Sequence, residues 1–230
     1  MNFLKTVVFI TKLLIFKYMK ILVIVAHGDD EVLGAGASIH KHVRNSDEVT
    51  VVFVKGFDNN RNEIQLNTTY KAKGILKYQH IIHLHKDKRE ILAGDDLVAE
   101  FDKIFKSIQP EVVYAPWMYD MHQDHRAIFY CTNSAARNVS TSKIRQVLLY
   151  EIPSSTDHSL MSGMYPFTPN YYNNITEEDL NSKTRAMGEY VHEYHPMRSA
   201  HALVELASRR GRESMCIYAE AFHCAKYVNV

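Results

Sequence analysis

The run Val23-Ile24-Val25-Ala26-His27-Gly28-Asp29-Asp30-Glu31-Val32-Leu33-Gly34 constrains this chain more than any other stretch. Three β-branched residues and an alanine lead straight into a histidine and three acids, and a helical pattern begins just beyond. This predicts a buried strand that ends in a charged loop. In an open α/β sheet such a loop stands at the carboxyl edge, where these folds bind their ligands. His27 and Asp30, three positions apart on one tight turn, can converge on a single cation, and Asp29 between them is left free to handle a proton. Imidazole with carboxylate is a donor set for zinc, and for ferrous iron, cobalt or nickel in the same geometry.

The rest of the chain supplies a frame for that loop. Helical spacing runs from Val32 to Arg44. The apolar run within Glu48 to Lys55 predicts a second buried strand, His80 to Leu84 a third, Glu111 to Pro116 a fourth and Gln146 to Glu151 a fifth. Between them lie a polar, helix-compatible stretch from Asn60 to Tyr78, an amphipathic helix from Asp95 to Ser107 stopped by Pro110, and a helix from Ala127 to Asn138. Strand then helix, repeated, predicts an α/β fold: a Rossmann-like three-layer sandwich with a mostly parallel sheet, order near 3-2-1-4-5, and helices on both faces. In that order strands one and four are neighbours at the switch point, so the loop from Trp117 to His125 opens into the same crevice as His27 to Glu31. Pro153 to Asn174, rich in Ser, Pro, Asn, Tyr and Gly, reads as a long loop of the kind that covers or lines a site. Beyond it, Thr176 caps one helix and a second runs from about Ala200 to Arg210.

A chain of 230 residues suits one α/β domain, placed at residues 19–230, with residues 1–18 as a leader. Val7 to Phe16 is apolar apart from Thr11 and Lys12, but it is shorter than the roughly 20 residues that span a bilayer. It reads as an extension without catalytic role, with a weak anchor as the alternative. Lys plus Arg number 27 against 26 acids, so there is no field to draw in nucleic acid or an anionic membrane. Cys131, Cys216 and Cys224 are odd in number and lack CxxC spacing, which argues against a disulfide framework and a cysteine zinc site and for a reducing, cytoplasmic setting.

A catalytic zinc takes three protein ligands and keeps a position open for water. His27, Asp30 and His125 supply two imidazoles and a carboxylate from the two facing loops. A water bound there would have its pKa lowered from about 15.7 to near 7, with Asp29 as the base that takes its proton and later hands it to a leaving amine. His122 does not share the coordination comfortably with His125 and is assigned to the carbonyl, as a protonated imidazole that steadies the oxyanion. Asp124 is assigned to hold one of these histidines in position. A dinucleotide site would need Gly-x-Gly-x-x-Gly directly after the first strand. Gly34-Ala35-Gly36 instead lies eight residues past Ala26, beyond three acids that repel a pyrophosphate.

Ala26-His27-Gly28-Asp29-Asp30-Glu31, taken with His122-Gln123-Asp124-His125-Arg126-Ala127, resembles the LmbE-like or PIG-L superfamily of zinc-dependent N-deacetylases. Its usual motifs are Ala-His-Pro-Asp-Asp-Glu and His-Pro-Asp-His, and Gly28 and Gln123 stand where the family usually has proline. The likeness runs from about Met19 to Tyr227. It implies a Rossmann-like fold, removal of the acetyl group from N-acetylglucosaminyl compounds, zinc on His27, Asp30 and His125, Asp29 as base and His122 as electrophilic helper. The implied partner is a small N-acetylated sugar or sugar conjugate. The family also commonly carries an Arg and a Glu that touch the sugar on the helix after the second strand. Arg61 and Glu63 lie nearby, while Gln65 and Thr68 stand at the expected spacing, so Arg61 is a candidate for sugar contact. The tail around Glu193 to Ser199 is similar to that of many bacterial members and makes His195 and Arg198 candidate rim residues. Its structural alternative is a cover, or a contact between copies in a homo-oligomer. A sugar- or nucleotide-binding protein that has kept the fold and lost catalysis is the reading from a different class.

Overall fold

The computed structural model describes residues 18–55, 62–86, 91–137 and 143–229. Residues 1–17, which make up nearly all of the expected leader, and Arg61 lie outside the described residues. Among those described, no helix is long and apolar enough to cross a membrane.

The strands β1 (Lys20–Val25), β2 (Glu48–Lys55), β3 (His80–Lys86), β4 (Val112–Pro116) and β5 (Gln146–Tyr150) are parallel and lie in the order 3-2-1-4-5. The β-branched runs of β1 and β2 follow from being covered on both faces, while β3 at the sheet edge is only partly buried. On one face Ile21, Val23 and Val25 pack with α1 (Asp30–Arg44), α2 (Asn62–Leu76), α5 (Glu177–Glu189) and α6 (Ala200–Glu213). On the other, Leu22 and Ile24 pack with α3 (Asp95–Ile108) and α4 (Gln123–Ala136). Alternation along β1 therefore sorts its side chains between two cores.

The sheet also extends past β5. The strands β6 (Tyr171–Asn174) and β7 (Ala219–Tyr227) continue it to 3-2-1-4-5-7-6, with β7 antiparallel to both neighbours. The end of the expected long loop is thus an edge strand, and much of the tail is sheet. Tyr171-Tyr172-Asn173-Asn174 carries no apolar alternation, because an edge strand of four half-exposed residues does not need one.

Two features of α1 govern how it approaches the sheet. A Cβ at Gly34 would overlap the ring of Tyr150, which is pinned by a 2.8 Å hydrogen bond from its hydroxyl to the Ile24 carbonyl. Gly34→Ala is expected to destabilise the fold by about 1–3 kcal/mol through overpacking. A lower urea midpoint at unchanged slope would show this, and an unchanged midpoint would mean that the ring can give way. The second feature is a kink at Ala35 (φ −145°, ψ 16°), which interrupts the helical hydrogen-bond ladder. Side chains satisfy the freed groups: the Glu220 carboxylate accepts from Ala37 N (3.1 Å) and Ser38 N (2.7 Å), and Lys183 Nζ donates to Leu33 O (2.8 Å). Lys183 and Glu220, both buried, pair at 2.6 Å.

Candidate metal centre

The pairing of β1 with β4, Val23 opposite Tyr114, brings the loops after these two strands together. Asp29 precedes α1 with φ 108° and ψ −30°, a backbone state that Asp and Asn tolerate better than most residues. Asp30 opens the helix, and its Oδ2 accepts from His27 N at 2.9 Å.

The same Asp30 oxygen lies 3.3 Å from His27 Nδ1 and 3.3 Å from His125 Nε2. Zinc binds nitrogen and carboxylate oxygen at about 2.0–2.1 Å, so tetrahedral ligands stand about 3.3 Å apart. The two spacings to Asp30 match that figure, and all three donors lie within 4.8 Å of one another. His125 Nε2 is buried, and among the described residues it makes no well-formed hydrogen bond beyond this approach to Asp30. The donor set therefore fits a divalent transition metal.

The distal ring nitrogens meet carboxylates. His27 Nε2 lies 3.0 Å from Asp124 Oδ2, and His125 Nδ1 lies 2.9 Å from Asp120 Oδ1. Such contacts fix the tautomer and leave the opposite nitrogen as acceptor. Asp124 also accepts from Lys55 Nζ (2.9 Å) and Ile91 N (3.1 Å). Burial opposes its ionisation, yet the hydrogen bonds from His27, Ile91 and Lys55 hold its carboxyl well below the usual carboxylate range. A second set of donors, His27, His122 and Asp124, also lies within 4.8 Å. It is the poorer one: the Lys55 ammonium already balances Asp124, and the His122 Nδ1 lone pair accepts from Asp124 N at 3.1 Å.

That last bond corrects one expectation. His122 caps α4 through Nδ1, so its proton sits on Nε2 and the ring is neutral. Burial, with His125 and His27 alongside, pushes its pKa down to about 4. It offers a neutral N–H in place of the imidazolium expected from sequence.

Asp29 is buried, and its Oδ2 accepts from Arg198 Nη1 at 2.7 Å while its backbone N–H reaches Glu31 Oε2 at 3.1 Å. Burial and the neighbouring Asp30 hold its pKa well above the ordinary value, against the pull of Arg198. Glu31, fully buried, receives the Tyr190 hydroxyl at 2.6 Å, and burial pushes it up to about 7.

The centre opens into a cavity of about 350 Å³. His27, Asp29, Asp30, His122 and His125 line it, with Lys55, Ser155 and the α2 residues Gln65, Thr68 and Thr69, and with Tyr190, His192, Glu193 and Arg198 from the tail. Arg198 thus belongs to the wall and touches Asp29. His195 does not line the cavity: it is exposed, and its Nδ1 accepts from Met197 N at 3.3 Å, capping a 3-10 turn over Pro196–Arg198. Sequence reasoning missed Asp120, Lys55, Tyr190 and Glu193. The charge of Lys55 at the carboxyl end of the second apolar run was the one available signal among them.

Comparison with known proteins places this geometry in context. The family model described as PIG-L, GlcNAc-PI de-N-acetylase, matches residues 22–136, from β1 to the end of α4. Over 178 residues the chain is 28% identical to the uncharacterized deacetylase YaiS of Escherichia coli K12, covering 74% of this chain and 89% of that one. Among solved structures it is similar to the N,N'-diacetylchitobiose deacetylase of Pyrococcus horikoshii (TM-score 0.68, 21% identity, 91% and 85% covered). It is also similar to GalB, the 4-carboxy-2-hydroxymuconate hydratase of Pseudomonas putida KT2440 (TM-score 0.77, 16% identity, 92% and 98% covered). At these identities the structural likeness speaks for the fold, which carries more than one chemistry.

Proposed function

Because the chain belongs to the PIG-L family, we propose that it is a zinc-dependent hydrolase that removes the N-acetyl group from an amino sugar or sugar conjugate, releasing free amine and acetate. Another divalent transition ion can serve in the same donor set. One observation carries the reading: two histidines, each backed by a buried carboxylate, flank one oxygen of Asp30, and a second buried carboxylate, Asp29, stands beside them.

His27, Asp30 and His125 would hold the ion, which when bound supplies Lewis acidity toward water and the acyl oxygen. Asp29 takes the proton of the attacking water and returns it to the leaving nitrogen, and burial beside Asp30 raises its pKa, which makes its carboxylate a stronger base than an exposed one. Arg198 donates to that carboxylate on the cavity wall and favours its ionised form against the burial that opposes it. His122, as a neutral donor, hydrogen-bonds the acyl oxygen as charge develops there. Asp124 and Asp120 hold the rings of His27 and His125. Gln65, Thr68 and Glu193 offer uncharged and acidic hydrogen-bonding groups to sugar hydroxyls on the wall.

The test is amine release from N-acetylglucosamine conjugates, with and without chelator. His125→Ala should lose its zinc by elemental analysis and release amine about 10³-fold more slowly, the scale of a lost Lewis acid. Amine release that ignores the chelator, or a variant that keeps both ion and rate, would refute the assignment. A chain that binds the conjugates and releases no amine would be a binding protein on the same fold.

A further inference from the structure

Just after β5 three consecutive hydroxyls each reach a partner of the centre. Ser154 Oγ accepts from Arg198 Nε at 2.8 Å, and the same guanidinium holds Asp29 Oδ2 at 2.7 Å through Nη1. Ser155 Oγ donates to Asp120 Oδ1 at 2.5 Å and Thr156 Oγ1 to Asp120 Oδ2 at 2.6 Å. Asp120, wholly buried, in turn meets His125 Nδ1 at 2.9 Å. One short turn thus reaches the base by one route and a metal ligand by another.

The turn is itself held firmly. The backbone N–H groups of Ser155 and Thr156 both donate to Ile152 O, at 3.1 and 2.9 Å, and Thr156 Oγ1 accepts from Ile152 N at 2.8 Å. Ser154 has φ 69°, in the left-handed region, where glycine is the easier residue. Such strain persists where the surroundings over-determine it. Here the determinant is visible: glycine would relax the backbone and forfeit the hydroxyl that orients Arg198.

We propose that Ser154-Ser155-Thr156 is a positioning turn with two separable outputs. Ser155 and Thr156 set the ring of His125 through Asp120, and with it the affinity for a divalent cation. Ser154 sets Asp29 through Arg198, and with it turnover. The division rests on the hydrolytic reading of the centre for its second output alone.

The experiment compares the Ser155→Ala/Thr156→Val double variant with Ser154→Gly in the full chain. Zinc affinity is read on metal-free protein by chelator competition, turnover by amine release, and the Arg198 Nε–H by its resonance in a ¹⁵N spectrum. The double variant should bind zinc about 10- to 100-fold more weakly, the usual scale for partners behind a ligating histidine. Thr156→Ser alone, which leaves both hydroxyls on Asp120, should bind zinc as the unaltered chain does. Ser154→Gly should keep zinc affinity within about twofold, because its hydroxyl reaches Arg198 and not Asp120, and should shift the Arg198 Nε–H resonance. Its kcat should fall about tenfold, the scale of one hydrogen bond to a charged group, with little change in KM. Equal loosening of zinc in both variants, or none in the double variant, would overturn the division, as would an unchanged Arg198 signal in Ser154→Gly. Should the double variant fail to fold, Ser155→Ala alone must weaken zinc for the proposal to stand. If the unaltered chain releases no amine, the hydrolytic reading fails, while zinc affinity and the Arg198 signal still decide what the turn does.

Discussion

Asp29→Asn is expected to lower turnover by about 10²- to 10⁴-fold, the range that general-base catalysis supplies, with the cation still bound. Asparagine suits this position, since it tolerates the positive φ of 108°. Its side-chain oxygen can still accept from Arg198 and its backbone N–H can still reach Glu31, so the surroundings are left as they are. What disappears is the capacity to take a proton. Steady-state rates set beside elemental analysis make the measurement, because loss of the ion would have a different meaning from loss of the base. Full turnover with full metal content would remove Asp29 from the chemistry and move the role of base to another group in the cavity.

The largest effect on stability is expected at Lys183. Lys183→Met keeps most of the apolar stem and removes the ammonium, leaving the buried Glu220 carboxylate to the Ala37 and Ser38 amides and Leu33 O without its donor. Breaking a buried pair on one side typically costs about 3–5 kcal/mol, because the remaining charge stays desolvated. Urea unfolding reads this directly, and Lys183→Met/Glu220→Gln should recover part of the loss by removing that charge. A single variant that unfolds within about 1 kcal/mol of the parent would show that water reaches Glu220 and that the pair matters little.

The central parallel strands were legible because they had to be apolar on both faces, and Val23–Ala26 and, Thr50 apart, Val49–Val54 are so. The loops after strands one and four were legible because the local spacing of His27 with Asp30, and of His122 with His125, carries their chemistry. The rest depends on distant partners. Nothing near Asp120 in sequence distinguishes it from an ordinary loop acid; only the fold carries Ser155 and Thr156 to one side of it and His125 to the other. His195 and Arg198 looked equivalent on the tail. The 3-10 turn over Pro196–Arg198 separates them, using His195 as its cap and directing Arg198 to Asp29. The antiparallel extension was hidden for a similar reason, since β6 and the outer half of β7 are only partly covered and show no apolar pattern.

The seat of β7 bears on the order of events at the ribosome. It follows every other described element, yet it is inserted between β5 and β6 and delivers Glu220 to the bend in α1. The loops after β1 and β4 are therefore synthesised well before residue 220, and the bend in α1 stays unbraced until then. Pairing between segments so far apart along the chain is the slow part of assembly. A chain cut short ahead of residue 219 would therefore carry His27, Asp30 and His125 while the bend in α1 lacked the carboxylate that accepts from its Ala37 and Ser38 amides.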